Sequence, residues 1–220
     1  MAEAVGGRFD EFGQLMVRIL IQAGLMPGHY LIDVGCGSGR LTRSIASYLT
    51  GPYLGTDVVP ALLNNARKYG KPDWRFQRVS EVTIPEDDNC ADMVCFFSVL
   101  THLLHEDSYR YLREAKRVLK SRGRIVFSFL EFRVFPSRDV FRHMVKRKDD
   151  GVKGLLDQFV SREAIDVWAD ELGLEVLRIV GGDESQIAED GSGICSLGQS
   201  LCILEKNEKL EPRLLRPTMG

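Results

Sequence analysis

The 220-residue chain, with 44% hydrophobic and 27% charged residues, suits one globular domain with a sizeable core and is short for two. A formal net charge of -2 supplies no basic field for holding nucleic acid, which is excluded as an expected partner. The N-terminus lacks the cationic start and apolar stretch of a secretory signal, and no apolar run nears the roughly 18 residues that span a bilayer, so the chain reads as soluble and cytoplasmic, with no membrane span.

Apolar runs alternate with amphipathic helical patterns, which implies an α/β architecture. Phe12, Leu15, Met16, Ile19 and Leu20 predict a helix over residues 11–25, ended by Gly24 and Pro27-Gly28. Strands follow at Tyr30–Val34, 52–57 and 74–79, with helices at 40–49 and Pro60–Tyr69 between them. Asp92–Phe97 is apolar enough for a strand buried on both faces of a parallel sheet. A helix over Ser108–Leu119 leads to a strand at Arg124–Leu130, and Gly123 is expected to take the positive φ of the helix stop. Between about Glu131 and Val160 the rhythm breaks into a basic, weakly periodic insertion. Ser161 should cap a helix that Gly173 ends. The last strands, Glu175–Val180 and Ser200–Glu205, have no helix between them and should pair antiparallel. A single domain over 1–206 with a loosely held tail at 207–220 is expected.

Five cysteines, Cys36, Cys90, Cys95, Cys195 and Cys202, show no CxxC spacing, so free thiols and no metal site are expected. The four histidines likewise form no ligand motif.

The strongest feature is Tyr30-Leu-Ile-Asp-Val-Gly-Cys-Gly-Ser-Gly-Arg, with glycines 35, 37 and 39 between a strand and a helix. Ligands of an open parallel sheet gather beyond the carboxyl ends of its strands, and glycines there admit them close to the backbone. The cadence is GxGxG, followed by Arg40, and not the GxGxxG of dinucleotide sites.

The segment from Asp33 to Gly39 resembles motif I of the class I S-adenosylmethionine-dependent methyltransferases. Phe76–Glu81, Ile84-Pro85, Asp92–Cys95 and Leu112–Gly123 resemble the same family in the same order. The resemblance implies a doubly wound, mostly parallel seven-stranded sheet with an antiparallel last strand, and S-adenosyl-L-methionine as cofactor. It implies that Asp33, Gly35, Cys36, Gly37 and Gly39 surround the methionine portion, that Asp57 accepts from both ribose hydroxyls, and that Val58 covers adenine. Where many members carry an Asp for the adenine amino group this chain has Ser80 followed by Glu81, and Ser80, Glu81 or a backbone group stands as its candidate partner. Ser98, in the run from Phe97 to Leu104, would line the floor between cofactor and acceptor.

His102 in that run is the candidate catalytic base, because imidazole titrates near neutrality; ordering of the loop is its structural alternative. FSVL is not the (D/N/S)PP(Y/F) tetrapeptide of nucleic-acid amino methylases. Ser98–Leu103, with Ser128-Phe129-Leu130 and Gly198-Gln199-Ser200, resembles bacterial methyltransferases of sugar, polysaccharide or secondary-metabolite pathways, and that resemblance implies a small-molecule or glycan acceptor methylated on a hydroxyl. Arg138, Arg142 and Lys146 fall at helical spacing, more consistent with a solvated face than with an anion site, while the family resemblance implies that the insertion at about 131–160 lies on the acceptor side. A nucleotide-binding oxidoreductase and a noncatalytic cofactor-binding protein are the competing readings, and a homodimer is left open.

Overall fold

The computed structural model describes residues 8–154, 156–188 and 194–209. Most of the expected tail at 207–220 therefore lies outside the described residues. Seven strands form one sheet: β1 (Leu31–Val34), β2 (Tyr53–Asp57), β3 (Arg75–Arg78), β4 (Ala91–Phe96), β5 (Leu119–Phe129), β6 (Leu174–Val180) and β7 (Ser200–Lys206). Their order is β3-β2-β1-β4-β5-β7-β6. The first five run parallel, while β7 is antiparallel to both of its neighbours, β5 and β6. The winding starts at β1, goes outward to β3 and resumes on the other side at β4. The C-terminal ends of β1 and β4 thus form the switch point of the sheet, where a crevice opens.

Side-chain alternation along the strands divides the core into two layers. Leu31, Met93, Cys95 and Val126 pack on the side of α1 (Phe9–Gln22) and α2 (Arg40–Ile45). Ile32, Val34, Val94, Phe96, Ile125 and Phe127 pack on the other side, against α4 (His105–Val118) and α6 (Arg162–Leu172). A helix α3 (Pro60–Ala66), with proline in its first turn, buries Leu63 and Ala66 against Cys36 and Phe76. Ser161 does cap α6, accepting from the Ala164 amide, and Gly173 ends it at φ 61°; a cap of this kind contributes about 1 kcal/mol.

Two expectations are corrected. Gly123 is not a left-handed helix stop; the left-handed residue is Arg122, at φ 65°. The last carbonyls of α4, on Arg117 and Val118, accept from the amides of Asn89 and Cys90. They need no glycine cap, and the chain passes straight into β5 at Leu119. The insertion is also more regular than its weak periodicity predicts: Phe135–Asp149 is a fifteen-residue helix, α5, with only Ser137 buried. A helix that lays no apolar stripe on the sheet shows no clear apolar period.

No helix among the described residues is long and apolar enough to cross a membrane.

Candidate functional site

Two cavities flank the switch point, of about 370 Å³ and about 270 Å³. Both are lined by Gly35, Ser98 and His102, so they are the two ends of one crevice. Asp33, Cys36, Gly37, Ser38 and Arg40 line the larger end with Met16, Leu41, Leu62 and Phe97. Asp57, Val58, Val79, Val99, Leu103 and Tyr111 line the smaller end.

The glycine turn is specified position by position. At Gly35 (φ 72°) a Cβ would stand 2.5 Å from Val99 Cγ2, so the β1 and β4 ends could not approach as they do. At Gly39 (φ 91°) it would stand 2.7 Å from the Ala66 Cα, so this glycine admits α2 beside α3 and lines neither cavity. Gly37 (φ 56°) has nothing within 4 Å of its Cβ position. Its open side faces the crevice.

Asp57, at the end of β2, is buried and fixes the turn from across the crevice. Its Oδ2 accepts from the Gly37 amide at 2.9 Å and its Oδ1 from the Val59 amide at 2.8 Å. Each carboxylate oxygen keeps a second lone pair, which leaves room for two vicinal hydroxyls. Asp33 lies in the floor, 3% exposed. Burial pushes its carboxyl up to about 6, against the opposing hydrogen bonds from Tyr53 and Cys95. The Tyr53 hydroxyl, buried and 2.9 Å from the Thr42 hydroxyl, donates to Asp33 Oδ2 at 2.7 Å.

Beyond β4 the chain turns through Ser98, a non-glycine residue at φ 58°. The Ser98 amide donates to the Ser128 hydroxyl, and both serine hydroxyls donate to Gln199 Oε1. This network holds an otherwise unfavourable conformation at the mouth of the crevice. A single 3-10 turn, Leu100–His102, then presents His102 to both cavities. His102 Nδ1 lies 2.7 Å from the Leu156 carbonyl. A carbonyl can only accept, which assigns the proton of the neutral ring to Nδ1 and leaves Nε2 as a free acceptor. Asp157 Oδ1 stands 3.9 Å from the same Nδ1, and Asp157 Oδ2 pairs with Arg147 at 2.8 Å. The segment that holds His102 is itself fastened to the turn, since the Gln158 amide donates to the Thr101 carbonyl at 2.6 Å.

The crevice brings together Asp33, Gly35, Cys36, Gly37, Asp57, Val58, Ser98 and His102. Ser80 and Glu81 stand apart: both are exposed and line neither cavity. On this side the smaller cavity is walled by Val79 and Tyr111 instead. Arg40 was named in the sequence only as the residue that breaks the dinucleotide cadence, yet it lines the larger cavity, with its guanidinium 5.7 Å from the rings of both Phe9 and Phe12. Of the basic face on α5, Arg138 donates to the Phe132 and Arg133 carbonyls and Arg142 pairs with Asp139.

Residues 32–127 match the family described as methyltransferase domain. A ubiquinone biosynthesis O-methyltransferase of Coxiella burnetii is 22% identical over 166 residues, which cover 71% of this chain and 68% of that protein. One of Xanthomonas oryzae is 31% identical over 110 residues, 48% of this chain and 44% of that protein. Among solved structures, a SAM-dependent methyltransferase of Methanosarcina mazei is similar at a TM-score of 0.63 and 14% identity, covering 86% of this chain and 97% of that one. Magnesium protoporphyrin IX methyltransferase of Synechocystis, solved with bound SAH, gives a TM-score of 0.61 at 18% identity, over 91% of this chain and 86% of that one. The structural likenesses show a shared fold.

Proposed function

We propose that this chain, a class I S-adenosylmethionine-dependent methyltransferase, methylates a hydroxyl of a small acceptor, with His102 as the base. The observation that carries the reading is the 2.7 Å contact of His102 Nδ1 with the Leu156 carbonyl, which makes Nε2 the acceptor of the neutral ring, in a residue that lines both cavities.

The crevice fits S-adenosyl-L-methionine. The open face at Gly37 admits a ligand onto the backbone, and Asp57 offers two acceptors to a ribose. Val58, Val79 and Tyr111 would flank the adenine at the smaller end, with Asp33 and Arg40 near the amino-acid portion at the larger. On this reading the adenine would lie on the side walled by Val79, which favours backbone groups there over the exposed Ser80 and Glu81 side chains as partners of its amino group. The cofactor supplies a methyl group on a sulfonium, which an in-line nucleophile can take. His102 Nε2 would take the hydroxyl proton as the acceptor oxygen bonds to the methyl carbon and the carbon–sulfur bond breaks, S-adenosylhomocysteine being the leaving group. Asp157, 3.9 Å from Nδ1, steadies the imidazolium that results. Holding the acceptor in line supplies much of the remaining acceleration.

Met16, Leu62 and Phe97 give the larger end an apolar wall, which suits a secondary-metabolite hydroxyl, phenolic or on an apolar body, better than a sugar. The O-methylation named for the two curated relatives supports an oxygen acceptor. The test is release of S-adenosylhomocysteine over a panel of phenols, alcohols and sugars, with His102→Ala alongside. Turnover on a hydroxyl acceptor that His102→Ala lowers about a hundredfold or more supports the reading; turnover only on amine or thiol acceptors overturns it.

A further inference from the structure

Six of the thirteen exposed large apolar side chains among the described residues fall within 132–156, among them Phe141, Val145, Val152 and Leu156. Those four line one groove of about 740 Å³ between the C-terminal half of α5 and residues 151–154 and 156. The volume lies within the range of about 300–1,000 Å³ typical of small-ligand sites. The charged residues of its lining are all cationic: Arg147, Lys148 and Lys153. Arg147 is engaged by Asp157. The ammonium groups of Lys148 and Lys153 make no hydrogen bond or ion pair with another described residue. The groove is thus an apolar surface with two uncommitted ammonium groups at its rim, the complement of an amphiphile with an acidic group.

One residue joins this groove to the crevice. The Leu156 side chain lines the groove, while its carbonyl holds His102 Nδ1. Anything seated on Leu156 therefore lies one residue from the proposed base.

We propose that the groove between α5 and residues 151–154 and 156 binds the apolar portion of the acceptor, an anionic amphiphile whose carboxylate or phosphate pairs with Lys148 and Lys153. Binding stands on the groove itself; its assignment to the acceptor rests on the reading of His102 given above. Seating the apolar portion against Leu156 would aim the hydroxyl end toward Nε2 and leave the acidic end at the lysine rim.

Dodecanoate is the probe, titrated into the full chain below its micellar concentration and compared with dodecanol. One-to-one saturable binding is expected, at least fivefold tighter for dodecanoate than for dodecanol. Val145→Asp should weaken it at least tenfold, and the double variant Lys148→Ala, Lys153→Ala should abolish the preference for the acid. All three substituted side chains are exposed, so S-adenosylhomocysteine affinity should stay unchanged and serves as the check on folding. Dodecanoate should also inhibit turnover competitively against the hydroxyl acceptor, and noncompetitive inhibition would detach the groove from the acceptor. Absence of saturable binding, equal affinity in Val145→Asp, binding only to phosphatidylglycerol vesicles, or a dimer that Val145→Asp dissolves would each overturn the proposal. His102→Ala separates the two readings. Undiminished turnover with dodecanoate still bound removes the base and keeps the groove, whereas lost turnover without dodecanoate binding does the reverse.

Discussion

His102 Nδ1 and the Leu156 carbonyl oxygen lie 2.7 Å apart, across a sequence separation of 54 residues. The contact fixes which ring nitrogen is free to take a proton. His102→Ala is therefore expected to lower turnover on the true acceptor by about a hundredfold or more, while S-adenosylmethionine affinity stays within about twofold. Turnover must be read by single-turnover kinetics, because product release can hide chemistry. A parallel fall of cofactor affinity and thermal stability would mark the imidazole as a loop-ordering group.

Asp57 serves the ligand and the fold together. Asp57→Ala should weaken S-adenosylhomocysteine binding by roughly 1.5–3 kcal/mol, the scale of hydrogen bonds to a charged group. Because the same carboxylate accepts from the Gly37 and Val59 amides, unfolding in urea without ligand should also come earlier, by about 1–3 kcal/mol. An unchanged dissociation constant by calorimetry would remove Asp57 from the ribose site.

Gly35 and Gly37 should part company when each is replaced by alanine. Gly35→Ala drives a methyl into Val99 at a positive φ, so it should lose soluble expression or melt several degrees lower. Gly37→Ala meets only open space. It should keep most of its stability, apart from about 1 kcal/mol of backbone strain, and lose most of its cofactor affinity. Equal melting temperatures for the two variants would contradict this account of the turn.

The buried Asp33 should leave two marks on pH dependence. Its carboxyl is raised to about 6, from an unfolded value near 3.9. Its contribution to stability is therefore fully present below about pH 3.9 and is lost as pH rises through about 6. Over the same range the carboxylate appears that favours a cationic ligand. Affinity for S-adenosylmethionine should then rise severalfold between pH 5 and 7.5, a limb that Asp33→Asn lacks. A flat affinity profile in the wild-type protein would place Asp33 out of electrostatic reach of the ligand.

The sequence was most readable where the backbone dictates the residue. The glycines at 35, 37 and 39 could be placed because a strand-to-helix turn needs positive φ there, and all three have it. Asp57 follows from its position at the end of a short strand. Much of the rest depends on register. Tyr53 meets Asp33 only because β2 and β1 align Leu31 with Tyr53 and Asp33 with Gly55, which puts the two side chains on one face a step apart. Tyr111 reaches the smaller cavity from α4, far from the strand-end motifs. Gly123 misled because the carbonyls it would have capped are satisfied by Asn89 and Cys90. Leu156 and Asp157 carried no motif at all, since a backbone carbonyl that selects a tautomer leaves no trace in residue type.

The position of β7 bears on how the chain comes to be folded. Ser200–Lys206 is the last of the seven described strands in chain order, yet it lies inside the sheet, hydrogen-bonded to β5 on one side and β6 on the other. Until it emerges, β5 and β6 each present an unpaired edge, the condition under which strands recruit the wrong partners. A ribosome stalled before residue 200 would therefore hold a chain with most of its crevice residues made but two open seams in its sheet. Completion of folding is tied to the final strand, and a chain released just short of it should be cleared by proteases or aggregate instead of persisting as a smaller active enzyme.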